Sequence, residues 1–363
     1  METSFTGPVG FCIEGMSGPG SGAWTRLRLI VQGLVSAGLD VHILGEIGLH
    51  DDVETWPVTS VKLLPKLSKL QRVLGRAQRI SAFARATGSR VIHLEAPPFI
   101  GSKEVPTICT VHDLRHFDEG MAPKFGAQRL YSRIVMPHYS PNIRGWLGVS
   151  RYGVADIQKR LRIASDRIFL VPPIVSAPII ALPLAPLLAQ KYVLALGHLE
   201  PRKNLETLVR ATKEIAWPAE LELWIAGENR GSLRSLQALA GPQDKKVRFL
   251  GPVSEGDKWR LLSEAAMVAV PSLVEGFGLV AVEAPLSGSI ALVSDRTALP
   301  ELAAHPLAQI SAQKPALWAE RISALASDPE KIQEILASQL MLSSDFRAGS
   351  VIPGLLEVYG KLA

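Results

Sequence analysis

The sequence predicts an α/β protein built from two doubly wound, Rossmann-like domains facing a cleft, and three observations lead to that class. Short runs rich in Val, Ile and Leu alternate with longer amphipathic stretches along the chain. The 363 residues suffice for about two domains, each able to bury a core. Near the middle the alternation stops at a proline-rich stretch and then resumes.

In the first half the strand candidates are Val9–Ile13, Val41–Leu44, Val61–Leu64, Val91–Leu94, Thr107–Val111 and Ile168–Val171, with a helix expected over Ala23–Ser36. From Leu170 to Ala189 the chain carries no charge but contains Pro172, Pro173, Pro178, Pro183 and Pro186. Each proline costs a helix interior about 3 kcal/mol, so this run is a stiff hinge and not a membrane span. In the second half the strand candidates are Tyr192–Leu196, Leu221–Ala226, Val247–Leu250, Val268–Val270, Ile290–Val293 and Leu307–Ile310, with helices over Leu205–Ile215 and Glu255–Ala265. The expected layout is a first domain over 1–171, a hinge over 172–189 and a second domain over 190–346. A last helix, 347–363, is expected to pack back on the first domain. The ligand belongs in the cleft, at the carboxyl ends of the strands.

Hydrophobic residues at 47% and charged ones at 20% exclude a disordered tail or a fibrous repeat. Cys12 and Cys109 are too few for a disulfide framework and sit in apolar, strand-like runs. The amino terminus has neither a basic leader nor an apolar export stretch, so a reducing, cytoplasmic location is expected. Residues 1–180 hold 21 Lys and Arg against 14 Asp and Glu, and the remainder 18 against 20. The basic excess of the first half suits an anionic surface.

Much of that excess lies between residues 62 and 90, which contain eight cations and no acid. On a helical wheel Leu67, Leu70, Val73, Leu74, Ala77 and Ile80 share one side, with Lys69, Arg72, Arg76 and Arg79 beside them. A basic helix of this kind around residues 66–85 would lie on an anionic membrane, at about 1 kcal/mol per well-placed cation. The same pattern also fits a sheet-covering helix with its cations in water. Nucleic acid is not the expected partner, because aromatics, 6% overall, do not interleave with these cations.

Two motifs carry chemistry. In Glu275-Gly-Phe-Gly-Leu-Val-Ala-Val-Glu283 two glutamates flank a Gly-Phe-Gly turn that opens a helix. Such a turn brings backbone amides close to an anion, and the helix dipole favours negative charge there. The carboxylates can accept from sugar hydroxyls, although an acidic residue before an ordinary helix reads the same way. Gly197-His-Leu-Glu-Pro-Arg-Lys-Asn204 follows an apolar strand and sets adjacent cations at a helix start, as a diphosphate requires. Gly18–Gly22 is a glycine-rich turn without the G-x-G-x-x-G spacing, which argues against a nicotinamide cofactor. No Asp-x-Asp pair is present to hold Mg²⁺, so fixed cations and amides are expected to stabilise a leaving diphosphate.

These segments resemble glycosyltransferase family 4, the retaining sugar-nucleotide transferases of GT-B fold. The resemblance covers nearly all of residues 190–363, including Val247–Ser254 and Ser294–Glu301. In the first half it rests on Gly18–Gly22 and Thr110-Val-His-Asp-Leu114. It implies that Glu275 meets the donor hexose, Glu283 the ribose, and Arg202 and Lys203 the diphosphate. Gly276, Phe277, Gly278 and Leu279 would bring amides to the sugar and phosphates. The segment ending at Ser254 would hold the nucleobase by backbone groups, Gly20 would lend an amide to the diphosphate, and His112 would face the sugar across the cleft. His198, Val280 and Pro285-Leu286 depart from the family pattern.

The function implied is transfer of a hexose to a glycan or polyprenyl-linked saccharide acceptor, without metal, at the inner face of the membrane. Mannose from GDP-mannose is the first choice, since the segments resemble mannosyltransferases of bacterial surface polysaccharides. Glucosyl, N-acetylglucosaminyl and rhamnosyl transfer remain open, as do a nucleotide-sugar epimerase and a non-catalytic glycan-binding protein.

Overall fold

The computed structural model describes residues 5–16, 18, 21–115, 142–177, 192–242 and 244–363. Two compact units emerge: residues 1–174 with 346–363, and residues 175–345. Hinge residues 178–189, like Gly20 of the glycine-rich turn, lie outside the described residues.

The first unit holds β1 (Val9–Cys12), α1 (Gly22–Ser36), β2 (Val41–Glu46), β3 (Ser60–Leu64), α2 (Lys69–Val73), α3 (Arg76–Thr87), β4 (Val91–Leu94) and β5 (Thr107–Val111). Next come β6 (Gly145–Gly148), α4 (Arg151–Leu161) and β7 (Ile168–Leu170). The seven strands among its described residues are parallel, in the order β3-β2-β1-β4-β5-β6-β7. The central strands are buried along their whole length, the pattern of a sheet covered on both faces. α1 begins at Ser21, whose hydroxyl accepts from the Trp24 amide at 3.2 Å, and buries Leu27, Ile30, Val31 and Leu34. Against it packs α11 (Ala348–Leu362), which contributes Val351, Ile352, Leu355 and Tyr359 to the same core.

The second unit holds β8 (Tyr192–Leu196), α5 (Leu205–Ala211), β9 (Glu222–Ala226), α6 (Leu233–Ala240), β10 (Val247–Gly251), α7 (Glu255–Glu264), β11 (Met267–Val270), α8 (Leu279–Leu286), β12 (Ile290–Ser294) and β13 (Gln309–Ile310). Helices α9 (Pro315–Ala326) and α10 (Pro329–Ser343) complete it. Its strands are also parallel, in the order β10-β9-β8-β11-β12-β13. Strand order reverses between β8 and β11, the place where a doubly wound sheet commonly holds its ligand.

The basic segment departs from its expected form. Gly75, at φ +70°, takes a left-handed conformation between α2 and α3, so residues 66–85 are not one helix. Nor do the arginines form an outward stripe. Arg72 forks onto Glu46, with Nε to Oε1 and Nη2 to Oε2 both at 2.9 Å. Arg76 is fully buried, its Nη1 3.3 Å from Glu14 Oε2, and Arg79 gives Nε to Glu14 Oε1 at 3.0 Å. A helical wheel sees only the acids within its own segment. Here the compensating carboxylates arrive from the ends of β1 and β2, and buried guanidinium is retained only with such partners. The Lys69 side chain lies outside the described residues.

Among the described residues, no helix is long and apolar enough to cross a membrane.

Candidate active site

The site of the second unit starts from Asn204, which has φ +52° and caps the short turn Pro201–Lys203. Its amide donates to the carbonyl of Pro271 at 3.0 Å and of Ala312 at 2.7 Å. The loop after β8 is thereby tied to the loop after β11, and Leu273 N–H donates to Arg202 O at 2.8 Å to complete the join. Two loops that start from neighbouring strands thus meet over the point where strand order reverses.

Glu275 sits at this junction, 8% exposed. Its Oε1 accepts from Lys203 Nζ at 2.6 Å and from the Ser272 hydroxyl at 2.9 Å, and its Oε2 accepts from Arg202 Nη1 at 2.9 Å. The Glu275 amide donates to Thr297 Oγ1 at 2.9 Å. Arg202 also donates to Val274 O at 3.0 Å and pairs with Glu200 at 2.7 Å. Burial alone would raise the Glu275 carboxyl, but the Lys203 ammonium and then the Arg202 guanidinium outweigh it. The group is held at about 2 against 4.5, and is therefore ionised at neutral pH.

After Glu275 come Gly276, Phe277 and Gly278, the last being the cap of α8, with Leu279 as its first residue. Gly278 has φ +106°, a backbone conformation that favours glycine, and a Cβ there would stand 2.6 Å from Leu299 Cδ2, which would have to shift. One further turn along α8, Glu283 is buried and accepts from Lys258 Nζ of α7 at 2.9 Å. Burial pushes its carboxyl up, and the ammonium only partly offsets that. Ser254 caps α7: its hydroxyl accepts from the Asp257 amide at 3.1 Å and donates to Asp257 Oδ2 at 2.7 Å. Glu275, Arg202 and Lys203 are thus joined directly, while Glu283 and Ser254 belong to the α7–α8 side of the same sheet. Among the described residues, no group of three or more His, Cys, Asp or Glu could hold a metal ion.

His112 belongs to the first unit, directly after β5, and lies 3.3 Å from Glu95. Sequence reasoning singled out neither Ser272, Thr297, Lys258 nor Glu95, and assigned Asn204 no role. For Asn204 the signal was a residue tolerant of left-handed backbone, placed directly before a helix. For Glu95 it was a carboxylate directly after a short buried strand whose one polar residue is His93.

Two parallel sheets, each with one reversal of strand order, are the architecture of a class, the GT-B glycosyltransferase fold. The Anabaena Alr3699/HepE crystal structure in complex with UDP and glucose matches 98% of this chain and 100% of that one, with a TM-score of 0.74 at 16% identity. Residues 20–177 match the model for Glycosyltransferase Family 4, and residues 185–338 that for glycosyl transferases group 1. The chain belongs to these glycosyltransferases, one domain from each model. It is 31% identical over 185 residues to the D-inositol 3-phosphate glycosyltransferase of Salinispora arenicola, covering 47% of this chain and 41% of that protein. The chain thus spans less than half the length of that relative. The O-antigen chain mannosyltransferase RfbU of Salmonella typhimurium is 27% identical over 226 residues, 61% of this chain and 62% of the relative.

Proposed function

We propose that this protein transfers a hexose from a nucleotide sugar to a glycan or lipid-linked saccharide acceptor, with mannose from GDP-mannose as the first donor. The observation that carries the reading is the Arg202–Glu275–Lys203 constellation at the strand-order reversal of the second sheet. Two fixed cations there suit the charge that develops on a departing diphosphate, and the amides of Gly276, Phe277, Gly278 and Leu279 add to them. In this reading Glu275 meets the hexose, Glu283 the ribose, and the backbone ending at Ser254 the nucleobase. The bond from C1 to the diphosphate oxygen breaks with its electrons on the phosphate. The acceptor oxygen joins C1 on the same face, and its proton passes to the leaving oxygen.

Similarity to a mannosyltransferase of O-antigen supports mannose. Glucose from UDP-glucose is the second reading, supported by the fold shared with a protein crystallised with UDP and glucose. His112 is assigned to the same reaction by family resemblance, and no metal ion takes part. A lipid-linked acceptor would bring the protein to the inner face of a membrane. The cations meeting that surface would then be the exposed Lys62 and Lys66, because Arg72, Arg76 and Arg79 are engaged by Glu46 and Glu14.

The test is release of nucleoside diphosphate from GDP-mannose and UDP-glucose, with and without lipid-linked saccharides, in excess EDTA. Acceptor-dependent release that survives EDTA is expected. Release indifferent to acceptor, or strict recovery by Mg²⁺ or Mn²⁺, would overturn the reading.

A further inference from the structure

Glu95 follows β4 directly, and its side chain is fully buried. A lone carboxylate in that position would cost several kcal/mol, and the first unit surrounds it with donors. Arg26 of α1, itself 1% exposed, gives Nη1 to Oε1 at 2.7 Å and to Oε2 at 2.9 Å. Thr110 of β5 donates its hydroxyl to Oε1 at 3.2 Å. His93 of β4 places Nε2 2.7 Å from Thr110 Oγ1 and Nδ1 2.8 Å from the Tyr359 hydroxyl of α11.

One placement of hydrogens satisfies this whole series. Tyr359 donates to His93 Nδ1, His93 Nε2–H donates to Thr110, and Thr110 donates to Glu95. Burial keeps His93 neutral, lowered to about 4, as that placement requires. Burial would raise the Glu95 carboxyl, but Arg26 and then its histidine neighbours hold it well below the ordinary carboxylate range. Oxygen Oε2 lies 3.3 Å from Nε2 of His112, whose side chain is 29% exposed, in contrast to its buried neighbours. Glu14 and Glu46, after β1 and at the end of β2, are met by arginines and, for Glu46, backbone amides. Of these three carboxylates, Glu95 alone is turned toward an accessible imidazole.

We infer that Glu95 is the positioning residue for His112, its Oε2 accepting from His112 Nε2–H so that the ring plane is fixed and Nδ1 becomes the atom open to a substrate hydroxyl. The inference rests on the proposed part of His112 in hexose transfer. A carboxylate only accepts, so the nitrogen it faces must carry the hydrogen, and the opposite nitrogen is left as the acceptor. Thr110, His93 and Tyr359 act one step further back, by holding the carboxylate still.

Two measurements test this on the full chain. Long-range ¹H–¹⁵N spectra of the imidazoles read the tautomer without substrate. Wild type should show His112 as the Nε2–H form, and Glu95→Gln a mixture of tautomers. In turnover, Glu95→Gln should lower kcat at least about 10-fold with donor KM unchanged, and Glu95→Asp should recover part of the loss. In a His112→Ala background the same Glu95→Gln change should cost less than about 2-fold, because a residue acting through another has nothing left to act on. If Glu95→Gln does not fold, Thr110→Val replaces it, leaving the carboxylate and Arg26 in place, and should show a smaller kcat loss that likewise vanishes without His112. Equal losses in both backgrounds, or an Nδ1–H tautomer in the wild type, would overturn the inference. Wild-type turnover by His112→Ala would instead sink the assignment of His112 itself, and the spectra would still decide whether Glu95 sets its tautomer.

Discussion

Glu275→Gln removes one charge from a buried position and leaves the side chain's size almost unchanged. Lys203 Nζ and Arg202 Nη1, at 2.6 and 2.9 Å, lose their anion. The native carboxyl titrates at about 2 against 4.5, a difference worth roughly 3 kcal/mol. Because the native value is depressed, the stabilisation is complete above about pH 4.5 and is lost as pH falls toward 2. The variant should therefore be roughly 3 kcal/mol less stable at pH 7, in line with breaking a buried ion pair. For a unit of this size that lowers the melting temperature by roughly 6–12 °C. At pH 3.5 the gap should narrow by roughly 1 kcal/mol, since the unfolded wild type already takes up a proton there. Ligand binding should move the other way. With Glu275 uncharged, Arg202 and Lys203 are no longer neutralised, so free GDP or UDP should bind more tightly while transfer falls. Thermal melts at both pH values, calorimetric titration with GDP and UDP, and turnover check the three parts. A gap that is absent at pH 7, or equal at both pH values, would refute the electrostatic argument. Weaker nucleotide binding would remove the two cations from the diphosphate site.

Replacing Arg202 and Lys203 together with Ala should lower turnover by about 10²-fold or more, and a loss confined to acceptor KM would place them elsewhere. Gly278→Ala meets both a left-handed φ and Leu299 Cδ2, so a destabilisation of about 1–3 kcal/mol should appear in denaturant melts; an unchanged midpoint would contradict that geometry. Glu14→Gln takes the carboxylate from the fully buried Arg76 and should cost about 3–5 kcal/mol by the same assay, whereas a cost below about 1 kcal/mol would show that Arg76 is compensated elsewhere. Arg72→Gln with Arg79→Gln should leave binding to anionic vesicles at low salt unchanged, and release from them would restore the basic stripe as a membrane surface.

The strands proposed from the sequence reflect short apolar runs, and the central ones, such as β1, β4, β5, β11 and β12, are buried on both faces of a parallel sheet, which is why they were legible. Strand β6 was missed because Gly145 and Gly148 leave only Trp146 and Leu147 between them, too short a run to register as a period. The sequence pointed to Glu275, Arg202 and Lys203 as residue types suited to sugar and diphosphate. That they neutralise one another is a property of the tie made by Asn204, which joins positions about 70 and 110 residues apart. The same limit explains the basic segment. Its arginines looked unpaired because Glu14 and Glu46 lie 26 to 65 positions away along the chain. The partners of Glu95 were unreadable for the same reason, being Arg26, Thr110 and, through His93, Tyr359.

The return of α11 to the first unit sets an order of events during synthesis. Residues 1–174 leave the ribosome early, yet the core they share with Ile352, Leu355 and Tyr359 waits until residues 175–345 have been made. At 5–20 residues per second that interval is roughly 10–35 s. Throughout it, α1 presents an uncovered apolar face and His93 has no hydroxyl to meet its Nδ1. The second unit is continuous in sequence and can fold in the meantime. A nascent chain of this protein is thus a finished second unit attached to an unfinished first one, exposed to chaperones and proteases until α11 docks.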